Sequence, residues 1–247
     1  MIPLKSEKDL VLLREAGKIL AGITQKVAAS VKDGITTAEL EKVAEKLFEK
    51  EGVESAFKGY HGYPASICTS AENIIVHGIP GNRKLKNGEI IGLDMGIKHK
   101  GFYSDLAVTV GVGKIDPQVK KLIDVTKQAL TEGIKKAVPG NRLYDISWAI
   151  QNYVESNGFS VVREFVGHGI GQKLHEDPEI PNFGIPGTGP VLACGMVLAI
   201  EPMVNIGGWE SVILSDGWTA ITKDGSLSAH FEHSIAITKD GPEILTI

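Results

Sequence analysis

The chain has 247 residues, 43% of them hydrophobic and 23% charged, with a net charge of −4. That length can bury a sizeable core as one large domain or two fused halves, and the mild acidity argues against a nucleic-acid groove or a polybasic membrane patch, so neither DNA nor a membrane is expected as a partner. Two cysteines without C-x-x-C spacing, Cys68 and Cys194, argue against a disulfide framework or a cysteine zinc site and favour the cytoplasm.

The start is charged early, with no apolar stretch of the signal-peptide kind. Residues 7–31 read as an amphipathic helix, with Leu10, Leu13, Ala16, Leu20, Ile23 and Val27 at three- and four-residue steps. A second helix runs over 37–51 and meets Gly52, a helix-ending glycine. Strands over 89–97 and 102–111 flank Lys98-His99-Lys100-Gly101, a hairpin signal. If Lys98 faces Gly101, Asp94 faces Asp105. Helices follow over 119–138, broken by Pro139-Gly140, and 144–157, closed by Gly158. Residues 196–204 and 230–238 are two further apolar strands. No apolar run approaches the ~20 residues that cross a bilayer.

The second half repeats the first. Gly34 and Gly140 precede matching helices, with Gly52 and Gly158 each closing theirs; Glu39/Asp145 and Leu40/Ile146 keep register; Val76-His77-Gly78-Ile79 is echoed by Gly167-His168-Gly169-Ile170. The expectation is one domain, 1–247, of α+β class, made of halves 1–112 and 113–247 about a pseudo-twofold axis, with a ligand cleft at their junction.

Four acids interrupt apolar strands: Asp94, Asp105, Glu201 and Glu232. A carboxylate in such a place is costly unless paired or metal-bound, and two side by side repel unless a cation lies between them. With His168 in a glycine-flanked turn they form one candidate metal cluster of charge −4, which two divalent ions balance. Oxygen-rich ligands with one imidazole suit Mn, Fe(II) or Co. Two such ions bridged by hydroxide supply a nucleophile at neutral pH and polarise a carbonyl. His175, seven residues after His168, and His77, its counterpart in the first half, are candidates to share the cavity; His61, His99, His230 and His233 read as turn or supporting residues.

These residues lie in Gly59-Tyr60-His61-Gly62-Tyr63-Pro64, Val76-His77-Gly78-Ile79-Pro80, Gly167-His168-Gly169-Ile170-Gly171, Ile200-Glu201-Pro202-Met203 and Phe231-Glu232-His233. On these motifs the chain resembles, from about Lys5 to Ile247, the bacterial type I methionine aminopeptidases, whose "pita-bread" fold is shared with prolidase, aminopeptidase P and creatinase. The resemblance implies a hydrolase that removes the initiator methionine of nascent polypeptides when the second residue is small. It implies that Asp105 and Glu232 bridge two metals (Co, Mn or Fe(II)), that Asp94 completes one and that His168 and Glu201 complete the other. Catalytic roles follow for His175 on the scissile carbonyl, for His77 on the peptide nitrogen and for Glu201 as proton shuttle. The methionine pocket maps to Phe57, Tyr60, Tyr63, Cys68, Leu174 and Trp218; Phe57 and Leu174 stand where relatives commonly carry cysteine and phenylalanine. A monomer is implied. Residues 207–216 lack the lysines some relatives carry there, so any ribosome contact through them is transient and electrostatically weak. Two alternatives stay open, an X-Pro peptidase of the same fold and a non-catalytic pita-bread binding module.

Overall fold

The computed structural model describes residues 2–247. Four α-helices stand among them: α1 (Glu7–Ala29), α2 (Thr37–Glu51), α3 (Pro117–Lys136) and α4 (Leu143–Ser156). Their ends follow from local chemistry. The Ser6 hydroxyl accepts from the Asp9 N–H while the Asp9 carboxylate accepts from the Ser6 N–H, and Thr36 and Glu39 do the same for α2. α1 stops at Ala29, short of the predicted 31, where the Ser30 hydroxyl turns back onto the Lys26 carbonyl at 2.9 Å. α3 begins two residues before its predicted start because Asp116 caps it and Pro117 suits the first helical turn. It ends two residues early, since the chain must leave the helical region ahead of Pro139.

The predicted repeat reappears as backbone geometry. Gly34, Gly52, Gly140 and Gly158 all have φ between +66° and +90°, which only glycine adopts without strain. The Gly34 N–H donates to the Leu85 carbonyl at 2.8 Å and the Gly140 N–H to the Leu192 carbonyl at 2.9 Å. Each is answered by a return bond, Leu85 N–H to Ile35 and Leu192 N–H to Asn141, both 2.8 Å. The same clasp thus starts α2 and α4. The His-Gly-Ile echo holds for the glycines alone. A Cβ on Gly78 would lie 2.2 Å from the Thr69 carbonyl oxygen, and one on Gly169 would lie 2.1 Å from that of Asp177. The histidines differ: His77 sits in a loop at φ +60°, whereas His168 lies inside a strand, Val166–Gly169, and not in the turn expected for it.

Strands Ile90–His99 and Phe102–Gly111 form the long hairpin of a four-stranded antiparallel sheet. Its register differs from the predicted one. The turn is two residues, Lys100-Gly101, both with positive φ, so His99 faces Phe102 and Asp94 faces Ala107, while Asp105 faces Gly96. A slip of two residues keeps each side chain on its face, so the aspartates stay on one side as diagonal neighbours. The bare Cα of Gly96 makes room for Phe57, whose ring would lie 2.6 Å from any Cβ there.

In the second half, a five-stranded antiparallel sheet runs in the order Gly241–Ile244, His233–Thr238, Val197–Ile200, Val166–Gly169, Glu176–Pro181. Helices α1 and α2 cover one core and α3 and α4 another. A third apolar cluster, including Leu10, Leu13, Cys68, Leu174, Ala236 and Leu245, joins them. α1 is seated on the C-terminal chain so closely that a Cβ at Gly17 would lie 2.2 Å from the Leu245 carbonyl oxygen. Gly17→Ala is therefore expected to destabilise by about 1–3 kcal/mol, the cost of overpacking. Calorimetry should show a Tm lower by roughly 5 °C. An unchanged Tm would mean that α1 does not sit there.

Candidate metal centre

The site forms where residues 230–234 lie between the two halves. On one side this segment meets the free edge of strand Phe102–Gly111. The Asp105 N–H donates to the Ser234 hydroxyl at 3.0 Å, and that hydroxyl donates to the Asp105 carbonyl at 2.9 Å. The Glu232 N–H donates to the Ala107 carbonyl at 2.9 Å. Thr109 repeats the hydroxyl clasp on His230, accepting from its N–H at 2.9 Å and donating to its carbonyl at 2.8 Å.

On the other side, Ile200 pairs with His233 and Met203 with His230. The register is continuous across a gap that leaves Glu201 opposite Glu232. Each predicted strand is therefore interrupted, 196–204 at Glu201-Pro202 and 230–238 at Phe231-Glu232. Pro202 has no N–H to give to a ladder, and the Asn182 side-chain amide takes up the Glu201 carbonyl at 3.0 Å. Both glutamates occupy strand breaks, where side chains from opposite halves can converge.

Four carboxylates thereby share one largely buried space. Burial pushes Asp94 up to about 7, with the Glu201 charge adding to the effect and His230 opposing it. Burial pushes Glu201 up to about 8. Asp105 and Glu232 rise well above the usual carboxylate range, through burial first and then through their acidic neighbours. Ionising all four needs cations. The donor atoms fit that need: Asp94 Oδ1 and Glu232 Oε1 are buried without a hydrogen-bonding partner, and one ligand atom each from Asp105, His168 and Glu232 lie within 4.8 Å of one another. His168 is oriented as a ligand. Its Nδ1 lies 2.9 Å from the Gly169 carbonyl, to which it can only donate. The bare Nε2 then faces the acids, 3.6 Å from Glu201 Oε1. Burial, and next the neighbouring His175, hold its pKa near 3, so the ring is neutral and free to ligate.

The acids line a cleft of about 940 Å³, which also takes in the catalytic and methionine-pocket candidates of the sequence: His77, His175, Phe57, Tyr60, Tyr63, Cys68, Leu174 and Trp218. The His175 ring stands 4.2 Å from that of His168, and its Nδ1 is 2.9 Å from the Tyr60 hydroxyl. Burial raises the Tyr60 pKa, keeping it a phenol that can donate to Nδ1. When the hydroxyl donates, His175 carries its proton on Nε2. Burial lowers His77 to about 4, so it too is neutral at physiological pH. The apolar part of the cleft belongs to the third cluster. Tyr63 spends its hydroxyl on the Ile67 and Gly78 carbonyls at 3.1 and 3.2 Å and packs edge-on against Trp218 at 5.1 Å. Burial, and secondarily Asp94, raise the Cys68 thiol, so it stays neutral.

One contribution escaped the sequence reading. Phe165 lines the cleft and packs edge-on against His77 at 5.6 Å; its place three residues before His168 was the available signal. The His230 Nε2, buried and without a hydrogen-bonding partner, lies 3.5 Å from Glu201 Oε2, so Glu201 stands between two imidazoles. His233 turns away toward Thr246 at 2.8 Å, and His99 lies 3.6 Å from Glu15, both outside the cleft lining. Among the described residues no helix is long and apolar enough to cross a membrane.

Comparison with known proteins agrees with this geometry. The family model of metallopeptidase family M24 matches residues 11–239. A methionine aminopeptidase from Clostridium perfringens is 54% identical over 247 residues, covering 100% of this chain and 99% of that one. The crystal structure of methionine aminopeptidase from Thermotoga maritima superposes with a TM-score of 0.98 at 48% identity, covering 100% and 99% of the two chains. The prolidase from Pyrococcus furiosus, at 20% identity and a TM-score of 0.80 over 99% of this chain and 65% of its own, shares the pita-bread fold alone. An α+β chain with this cluster of acids, matched along its whole length by such relatives, belongs to metallopeptidase family M24, beside the bacterial methionine aminopeptidases.

Proposed function

We propose that the chain removes N-terminal methionine from nascent polypeptides with a small second residue, acting as a cytoplasmic monomer with two divalent ions, Mn, Co or Fe(II). The observation that carries this reading is the contact between an apolar, uncharged slot and a cluster of four acids and one histidine. In the proposed assignment Asp94, Asp105, His168, Glu201 and Glu232 would hold the ions. Such a pair supplies an acidified water and polarises the scissile carbonyl.

The chain's own groups do the rest. The slot formed by Phe57, Tyr60, Tyr63, Cys68, Leu174 and Trp218 accepts an unbranched thioether, since sulfur packs well against aromatic edges. It offers no partner to a charged side chain, which would be buried at a large cost. The His175 Nε2–H, present when Tyr60 donates to Nδ1, faces the scissile carbonyl and stabilises negative charge developing on its oxygen. Neutral His77, steadied by Phe165, meets the peptide nitrogen and assists the departing amine. Glu201, a carboxylate set between the imidazoles of His168 and His230, carries a proton from water to the leaving amine.

The test is kcat/KM for Met-X-Ser peptides with X as Gly, Ala, Ser, Thr, Val, Leu and Ile, beside Ala-Pro and an N-blocked peptide. A steep fall from Ala to Leu is expected, because about 1 Å of misplacement at the reacting carbon can cost 10²-fold. Thr and Val should fall between, helped by Leu174 where a bulkier phenylalanine is common. A flat profile over X, or cleavage of Ala-Pro in preference to Met-Ala-Ser, overturns the reading.

A further inference from the structure

We propose that Lys5 is a positioning residue for His175, acting from the N-terminal strap through Glu176; this rests on the reading of His175 as the donor to the scissile carbonyl.

The Lys5 ammonium pairs with the Glu176 carboxylate, and the two side chains are only 6% and 8% exposed. The strap is held in place by its backbone, since the Lys5 N–H donates to the Gly195 carbonyl at 2.7 Å. From there the Lys5 side chain crosses Gly171 so tightly that a Cβ on that glycine would lie 2.2 Å from Lys5 Cε and 2.8 Å from Nζ. The second Glu176 oxygen, Oε1, accepts from the Lys173 N–H at 3.1 Å. The loop is also tied at its start, where the Gly171 carbonyl accepts from the Tyr103 N–H at 2.8 Å. Residues 171–176, which carry Leu174 and His175 into the cleft, are thus closed at both ends, and the last tie is an ion pair with a residue 171 positions away.

A buried ion pair gives little stability over an apolar pair of similar size, because desolvation offsets the attraction. What it adds is direction. Glu176 follows His175 in the chain, so its carboxylate sets the position of the backbone that bears the ring, while the Tyr60 hydroxyl, 2.9 Å from Nδ1, holds the ring's rotation. Without Lys5, Glu176 would seek water and draw His175 with it. Pro3, two residues before Lys5, lines the same cleft, which places the strap beside the loop it holds.

The experiment is a double-mutant cycle on the full-length, metal-loaded protein with Met-Ala-Ser as substrate. Lys5→Met is expected to lower kcat by about 10–100-fold, as displacements of up to 1 Å do, with KM and metal content unchanged. In a His175→Ala background the same substitution should lower kcat no further. A purely structural role would reduce kcat by the same factor in both backgrounds, or would lower metal content instead, and either result overturns the proposal, as does normal turnover by Lys5→Met. If Lys5→Met fails to fold, Lys5→Met/Glu176→Leu removes both charges and keeps the volume, and the cycle is read with that pair. The reading of His175 stands or falls separately, on the kcat of His175→Ala alone.

Discussion

Stripped of divalent metal by a chelator, the protein is expected to lose hydrolysis of Met-Ala-Ser entirely and to regain it with Mn, Co or Fe(II). The physical reason is the convergence of four carboxylates at the junction of the halves. Without cations, burial and mutual repulsion keep protons on them, as the raised pKa values of Asp94, Asp105, Glu201 and Glu232 show. A protonated cluster can neither activate water nor polarise a carbonyl. The same reasoning gives a readout independent of activity. Metal uptake must displace those protons, so an unbuffered solution at neutral pH should acidify on loading. Metal binding to the folded state alone should also raise Tm, by about 2.7 kcal/mol of stabilisation at a hundredfold excess over Kd. Calorimetry of the chelated and loaded protein measures both. Full activity under excess chelator with no metal found by elemental analysis would sink the assignment.

His175→Ala is expected to lower kcat by about 10²–10³, the usual loss for one donor to a developing oxyanion. KM should change far less, because the donor acts mainly on charge that appears in the transition state. Three features support this expectation. The Tyr60 hydroxyl lies 2.9 Å from Nδ1 and can donate to it, which leaves the proton on Nε2; the ring stands 4.2 Å from that of His168, hence beside the metal cluster; and partial burial, with His61 nearby, lowers its pKa. The neutral ring is therefore the working form. Metal content should be unchanged, since Asp105, His168 and Glu232 keep their geometry without it. A variant with normal turnover and normal metal content would mean that His175 does not face the carbonyl.

Much of this was legible in the chain before any coordinates. The four helices follow from three- and four-residue apolar spacing and from caps that lie within a few residues of the helix they start. The acids stood out because each interrupts an apolar run, and Leu174 and Cys68 entered through the family resemblance. Elements that looked uniform were less legible. Residues 196–204 and 230–238 each read as one strand, yet Glu201 and Glu232 sit in breaks, because the partner of each gap lies in the other segment. The hairpin register was two residues off, because the turn is set by two positive φ angles at Lys100 and Gly101 and not by Lys98 facing Gly101.

By itself, then, the sequence determined the candidate ligand types and the helices, which depend on side-chain chemistry or on local spacing, and the repeat, which shows as two like patterns 106 positions apart. Tertiary structure alone decided which groups meet. Ser234 clasps Asp105 across 129 positions, Thr109 clasps His230 across 121, Tyr60 reaches His175 across 115 and Lys5 reaches Glu176 across 171. No periodicity carries such pairings. They arise when two separately patterned halves bury a common apolar seam, and that burial brings distant polar groups within hydrogen-bonding reach.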